Sequence, residues 1–243
     1  MRAINIEKIL IVVLIFFSIV YLGLQLYQYE ITASGLRTLM VLLLGVLYCV
    51  KVTYKRLLFF LFLVSFAIAE IISFVSWFVP LPEGEVDGYY YAGNISYMIS
   101  YMFLIFQLLK SMDVKSVFLK LPFHFLILFV LDVFCVWIVT DTARSELNNY
   151  EYWLEFVYNA VIMILLSLAV IDYIYRDDKR SMLFLLASIS LFFSEVMQLA
   201  YFYVSENNII NMLYSFFIIV AFIFFYIQST LKFSNNIDLE LIE

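Results

Sequence analysis

Residues 57–79 read LLFFLFLVSFAIAEIISFVSWFV, a continuous apolar run interrupted by one charge, Glu70. A second run, residues 181–204, reads SMLFLLASISLFFSEVMQLAYFYV and carries Glu195 at the comparable depth. Runs of this length cross the roughly 30 Å of hydrocarbon in a bilayer as helices. A carboxyl group held there costs several kcal/mol unless something compensates it, so each glutamate is a functional-site candidate by default. Two at matching places in two halves of one chain strengthen that reading.

The rest of the chain follows the same pattern. Of its 243 residues 65% are hydrophobic, 20% aromatic and only 14% charged, and its mean hydropathy is +1.00. Those values belong to an integral membrane protein, not to a soluble domain. No basic patch points to nucleic acid. Cys49 and Cys135 both fall in apolar runs, where a thiol behaves as a small hydrophobe, so neither a disulfide framework nor a metal site is indicated.

Eight spans are predicted, at residues 9–27, 36–52, 57–79, 92–112, 121–140, 153–175, 181–204 and 209–230, the second being the shortest. The first is too long for a signal-peptide core and reads as a retained helix. With the N-terminus inside, the lysines and arginines from Arg2 and Lys8 through Lys55, Arg56, Arg176 and Arg180 to Lys232 fall on one face. Only Arg37 and Arg144 fall on the other. That asymmetry predicts both termini on the cytoplasmic side, in what is expected to be the plasma (inner) membrane. The opposite loops are acidic, with Glu83, Glu85 and Asp87 in one and Asp141, Glu146, Glu151 and Glu155 in another. Tyrosine and tryptophan clusters at 89–91 and 150–153 suit an interfacial belt there.

A shift of 125 residues lays Lys51 on Arg176, Lys55 on Arg180, Ser65 on Ser190 and Glu70 on Glu195. After the loop holding Pro80 and Pro82, a shift of 117 lays Asn94 on Asn211 and Tyr97 on Tyr214. In so apolar a chain the polar coincidences carry the weight. The expected architecture is a single all-α membrane domain made of two parallel four-helix repeats, about 1–118 and 119–243, related by an axis along the membrane normal. Both glutamates would then lie at one depth, facing a common space between the halves.

Each polar residue also has a structural reading. Glu70 and Glu195 would lock helices together as a hydrogen-bonded pair, or serve as acid and base. Ser194 precedes Glu195, while Ser73 and Gln198 lie one turn beyond the two glutamates, where they could donate to them. Asp132 is a third carboxyl at membrane depth, with no counterpart in the first span. Asn94, Asn159 and Asn211, with Tyr97 and Tyr214, would bind a polar headgroup or bridge helices. The candidate catalytic groups are therefore Glu70, Glu195 and Asp132. The candidate contacts to a substrate are Asn94, Tyr97, Asn159, Ser194, Gln198, Asn211 and Tyr214. His124, the one histidine, suits packing or the interface, and Asp172 with Arg176 suits an ordinary i,i+4 ion pair. No lysine lies inside a span to form a Schiff base, and no Gly-rich phosphate loop occurs.

Through Ser65-Phe66-Ala67-Ile68-Ala69-Glu70 and Ser190-Leu191-Phe192-Phe193-Ser194-Glu195, and through its eight-span topology, the chain resembles the YhhN-like lysoplasmalogenase family, whose members more usually carry aspartate at these acids. The resemblance implies hydrolysis of the vinyl ether bond of a single-chain lysoplasmalogen, yielding a fatty aldehyde and a glycerophospho-headgroup. One carboxyl would protonate the vinyl ether and the other would stabilise the cation or activate water, with no metal or cofactor. Parallel repeats and mid-membrane carboxylates equally suit a small-solute or proton-coupled transporter. A non-enzymatic membrane sensor or partner protein is the third reading.

Overall fold

The computed structural model describes residues 6–52, 55–80 and 86–231. Arg2, Pro82, Glu83, Glu85 and Lys232 lie outside the described residues. The described chain forms α1 (Ile6–Leu26), α2 (Glu30–Lys51), α3 (Leu57–Ser76), α4 (Gly88–Ser111), α5 (Val114–Lys120), α6 (Pro122–Thr142), α7 (Asn149–Arg176), α8 (Lys179–Tyr203) and α9 (Asn208–Thr230). All but α5 are long and apolar enough to cross a membrane. The protein is thus an integral membrane protein, with eight membrane-crossing helices among the described residues, as the hydropathy predicts.

Hydropathy places helix ends poorly, because ends are set by side chains that satisfy the first free N–H groups. Asp87 caps α4, Asp178 caps α8 and Asn207 caps α9. Asn148 and Glu151 close a reciprocal capping box on α7. Two helix starts bear on the site, one of them, that of α2, without a side-chain cap. The second helix begins at Glu30 and not at 36, so it is a full 22 residues, and Arg37 lies about two turns inside it. The sixth span begins at Asn149 and not at 153, so Glu155 lies nearly two turns inside a membrane helix instead of at its first turn beside the acidic loop. The short α5 was not foreseen. Asp113 caps it, and the Ser116 hydroxyl, donating to Asp113 at 2.6 Å, holds that carboxyl below its ordinary range.

Within each half consecutive long helices pack on one another: α1 on α2, α2 on α3 and α3 on α4, then α6 on α7, α7 on α8 and α8 on α9. The halves join where α4 meets α7 and where α9 meets α1. Seven helices therefore close a ring, with α6 outside it against α7. The ring is filled by aromatic side chains: Phe59, Phe62 and Phe66 of α3 meet Phe222 and Phe225 of α9 and Phe184 of α8. Phe66 lies edge-on to Phe222 at 4.9 Å, and Phe184 edge-on to Phe225 at 5.3 Å, spacings at which aromatic pairs add to simple burial.

The upper end of the bundle is taken here as the end holding the α1–α2, α3–α4, α6–α7 and α8–α9 connections. Near it, α2 and α3 approach closely at Gly35, where an added Cβ would meet the Phe74 ring at 2.9 Å. A Cβ on Gly23 would meet nothing within 4 Å. Gly35→Leu should therefore destabilise the protein by about 1–3 kcal/mol through overpacking, whereas Gly23→Leu should not. Denaturant titration of both variants in mixed micelles checks this.

Candidate functional site

Glu70 is only 1% exposed, so in this setting it must be compensated by its neighbours. Arg37 of α2 supplies an Nε–H to its Oε2 at 2.5 Å, and Tyr97 of α4 donates its hydroxyl to Oε1 at 2.9 Å. The Thr38 hydroxyl bridges the backbone carbonyls of Ser34 and Glu70, at 3.0 and 3.2 Å. The guanidinium of Arg37 also stacks over the Tyr214 ring, 5.5 Å from its centroid. Four helices thus converge on one ion pair. Arg37 is a partly buried cation about two turns inside a membrane helix, which corrects its reading as a charge of the outer face. The error came from starting the second span at residue 36. The signal available was chemical: an acid at membrane depth calls for a base.

Glu195 is held differently. Tyr101 of α4 donates to its Oε1 in a short hydrogen bond, and Tyr158 of α7 donates to its Oε2 at 2.9 Å. Tyr97 and Tyr101 are i and i+4, so one turn of α4 serves both glutamates. Phe66, edge-on to Tyr97 at 5.0 Å, packs behind that turn. The hydroxyl of Tyr214, the residue that the 117-residue shift lays on Tyr97, has no hydrogen-bond partner among the described residues.

Beside Glu195 the bundle opens into a cavity of about 480 Å³ between α3, α4, α7 and α8 at the upper end. Three carboxyl-bearing residues line it, namely Glu195, Glu155 and Asp87, and no described lysine or arginine does. Asn94, Asn159, Gln198 and Ser73 add polar groups, and Tyr89, Tyr90, Trp77 and Tyr203 build its mouth. Glu155, 8% exposed, accepts from Asn159 Nδ2 at 3.3 Å, and the same amide reaches the Thr140 hydroxyl of α6 at 3.1 Å. Glu155 is the functional candidate that reasoning from the sequence missed. Its i,i+4 spacing to Asn159, with both residues inside the predicted span 153–175, was the available sign.

The structure divides the remaining candidates. Asn94, Tyr97, Asn159 and Gln198 line the cavity with Glu195. Glu70 does not line it; Tyr97 stands between. The expectation that both glutamates face a common space is thereby corrected: Arg37 draws Glu70 away from the cavity. Asp132 is half-buried on α6 and accepts from Ser167 of α7 at 2.7 Å, away from the cavity lining. Ser194 donates to the Tyr214 carbonyl at 3.1 Å, and Asn211 donates to Gln25 of α1 at 3.1 Å, so these two stitch helices. Tyr214 packs under Arg37. At the lower end Asp172 pairs with Arg176 at 2.7 Å, and Arg176 also donates to the Ser111 carbonyl, which ties α7 to α4. His124 is exposed at the start of α6. Among the described residues no cluster of three histidine, cysteine or acidic side chains could hold a metal ion.

In comparisons with known proteins, no family model, no curated protein and no solved structure matches this chain. What the fold and site define is a class: an eight-helix membrane protein with an acidic, aromatic-mouthed cavity, braced by a buried ion pair.

Removing one partner of a buried pair leaves the other charge uncompensated, at a cost of about 3–5 kcal/mol. Arg37→Leu should show such a loss in denaturant unfolding, and the double variant Arg37→Leu/Glu70→Leu should recover most of it. Additive losses in the double variant would show that the two residues do not act as a pair.

Proposed function

We propose that the protein hydrolyses the vinyl ether bond of a single-chain, lysoplasmalogen-type lipid, with Glu195 as the proton donor and Glu155 as the second carboxyl. The observation that carries this reading is the pair of carboxyls on one polar cavity within the bundle, the arrangement that acid–base cleavage needs. The sequence resemblance supplies the bond to be cleaved.

In this mechanism protonated Glu195 gives its proton to the vinyl carbon distant from the ether oxygen, leaving an oxocarbenium ion. Water then adds to the carbon bearing the oxygen and loses a proton to a carboxylate. The hemiacetal collapses to a fatty aldehyde and the free hydroxyl of the glycerophospho-headgroup. One water is consumed, and the carboxyl protons are restored. Tyr101 and Tyr158 fix the Glu195 carboxyl against rotation, which holds it in one attacking direction. The mouth, with Asp87 among tyrosines and Trp77, suits the ammonium end of an amine headgroup through charge and cation–π attraction. Asn94, Asn159 and Gln198 supply donors and acceptors to the glycerol. Glu70 is a positioning residue: by holding Tyr97 it fixes the turn of α4 that presents Tyr101.

The two halves, read as copies of one four-helix unit, have divided the labour on this view, one acid bracing and the other reacting. With both termini cytoplasmic, the cavity would open outward. A transporter would need solute to pass the Arg37–Glu70–Tyr97 knot and the aromatic core. The helices are unbroken, the one proline in a described helix being Pro122 at the start of α6, which favours a fixed site over a rocking one.

The test is aldehyde release from a lysoplasmalogen by purified protein in nanodiscs. Glu195→Gln should lower the rate by about 10²–10⁴-fold, as loss of a general acid does, with unchanged melting; Glu155→Gln should also lower it. No aldehyde from the unaltered protein, or full activity in Glu195→Gln, would overturn the reading. Solute flux in liposomes without hydrolysis would favour transport.

A further inference from the structure

A second cavity lies on the other side of the ion pair. It is a crevice of about 270 Å³ between α1, α2 and α9. Leu14 and Ile15 of α1, Met40 and Leu44 of α2, and Ile219 and Phe222 of α9 line it. It follows α2 from Arg37 to Leu47, a length of about 15 Å at the helical rise, or about half the hydrocarbon thickness. Above it α1 and α9 are stitched by side chains: Ser215 to Tyr21 at 3.1 Å, Asn211 to Gln25 at 3.1 Å and Gln28 to Asn208 at 2.6 Å. Below that ladder both helices line the crevice, and Ile15 and Ile223 at its edge are 56% and 50% exposed.

The crevice is not uniformly apolar, for the Arg37 side chain, 12% exposed, lies at its upper end. Nε of Arg37 is bonded to Glu70, but among the described residues no acceptor hydrogen-bonds its two terminal amino groups. Donors left in an apolar slot at membrane depth are costly, and a guanidinium offers donors only. The fitting ligand therefore has one hydrocarbon chain and an oxygen that accepts. Glu70 already cancels the charge of Arg37, so a fatty carboxylate would bring an uncompensated negative charge into hydrocarbon. A carbonyl, acceptor-only and neutral, matches.

We infer that this crevice binds a long-chain fatty aldehyde, the chain lying along α1, α2 and α9 and the carbonyl oxygen taking a hydrogen bond from the terminal amino groups of Arg37. The choice of aldehyde among neutral carbonyl lipids rests on the hydrolase reading, since that reaction makes one. The shape and chemistry of the site do not depend on it. Glu70 joins both cavities, one oxygen on Arg37 at the crevice and the other on Tyr97 at the polar cavity.

The test uses the full chain in nanodiscs and a long-chain methyl ketone bearing a diazirine on its chain, an unreactive stand-in for the aldehyde. After irradiation, mass spectrometry should place the label on peptides holding Leu14, Leu44 and Ile219. Unlabelled ketone should displace the probe about tenfold more effectively than the alkane of equal length, the gain expected of one hydrogen bond to a charged donor. Leu44→Trp should abolish labelling, and Met40→Trp provides a second filling variant should the first not fold by size exclusion and melting. Equal displacement by ketone and alkane, labelling of the lipid-facing side of α6 as strong as that of the crevice, or labelling that survives a folded filling variant would each overturn the site. Selective labelling of a protein that releases no aldehyde from lysoplasmalogen supports the site and fails the hydrolase reading alone. Aldehyde release without labelling overturns the site alone.

Discussion

A carboxylate cannot sit in hydrocarbon without a partner, and the contact between Arg37 and Glu70 answers that constraint for the first half of the chain. Because the guanidinium comes from α2, the carboxylate from α3, the second donor from α4 and the stacked ring from α9, the pair fixes the mutual rotation of four helices. Hydrophobic attraction gives little such direction inside a bilayer, where lipid tails are as apolar as leucine and polar contacts and close packing select the interface. The positions of Tyr97 and Tyr101, and so the carboxyl of Glu195, follow from that lock.

The two glutamates differ in setting. Both have their two oxygens engaged, but Glu70 is bonded to a guanidinium and lies apart from the cavity lining, while Glu195 is held by two hydroxyls and lines the cavity. A tyrosine hydroxyl orients a carboxyl without bringing a full opposite charge to it, and the cavity lies beside that carboxyl. The acidic lining of that space, without a described basic residue, draws amines and repels free anions.

The helices were legible because apolar runs of this length have one physical explanation in a chain this rich in phenylalanine and leucine. The site was legible in part. Glu195, Asn94, Asn159 and Gln198 were found by the rule that polar groups at membrane depth matter, and the cavity gathers them. Arg37 was lost to a helix end, since hydropathy averages over a window and starts the second span at 36 instead of Glu30, and Glu155, though inside the predicted span 153–175, was read with the acidic loop before it. The tyrosines holding Glu195 could not be read at all. With 19 tyrosines in the chain, nothing in the sequence singles out Tyr101 and Tyr158 until the helices are packed. The seven residues of α5 are too few for a periodic signal.

The ladder that joins α1 to α9 makes an early helix depend on a late one. As the chain emerges from the ribosome, Tyr21 and Gln25 enter the bilayer long before Ser215 and Asn211 exist to meet them. Until α9 is made, Gln25 and Tyr21 have each other, Gln25 Nε2 donating to the Tyr21 hydroxyl at 3.2 Å, and their remaining hydrogen-bonding capacity is left to water or lipid carbonyls. A chain that stops short of α9 keeps that seam open.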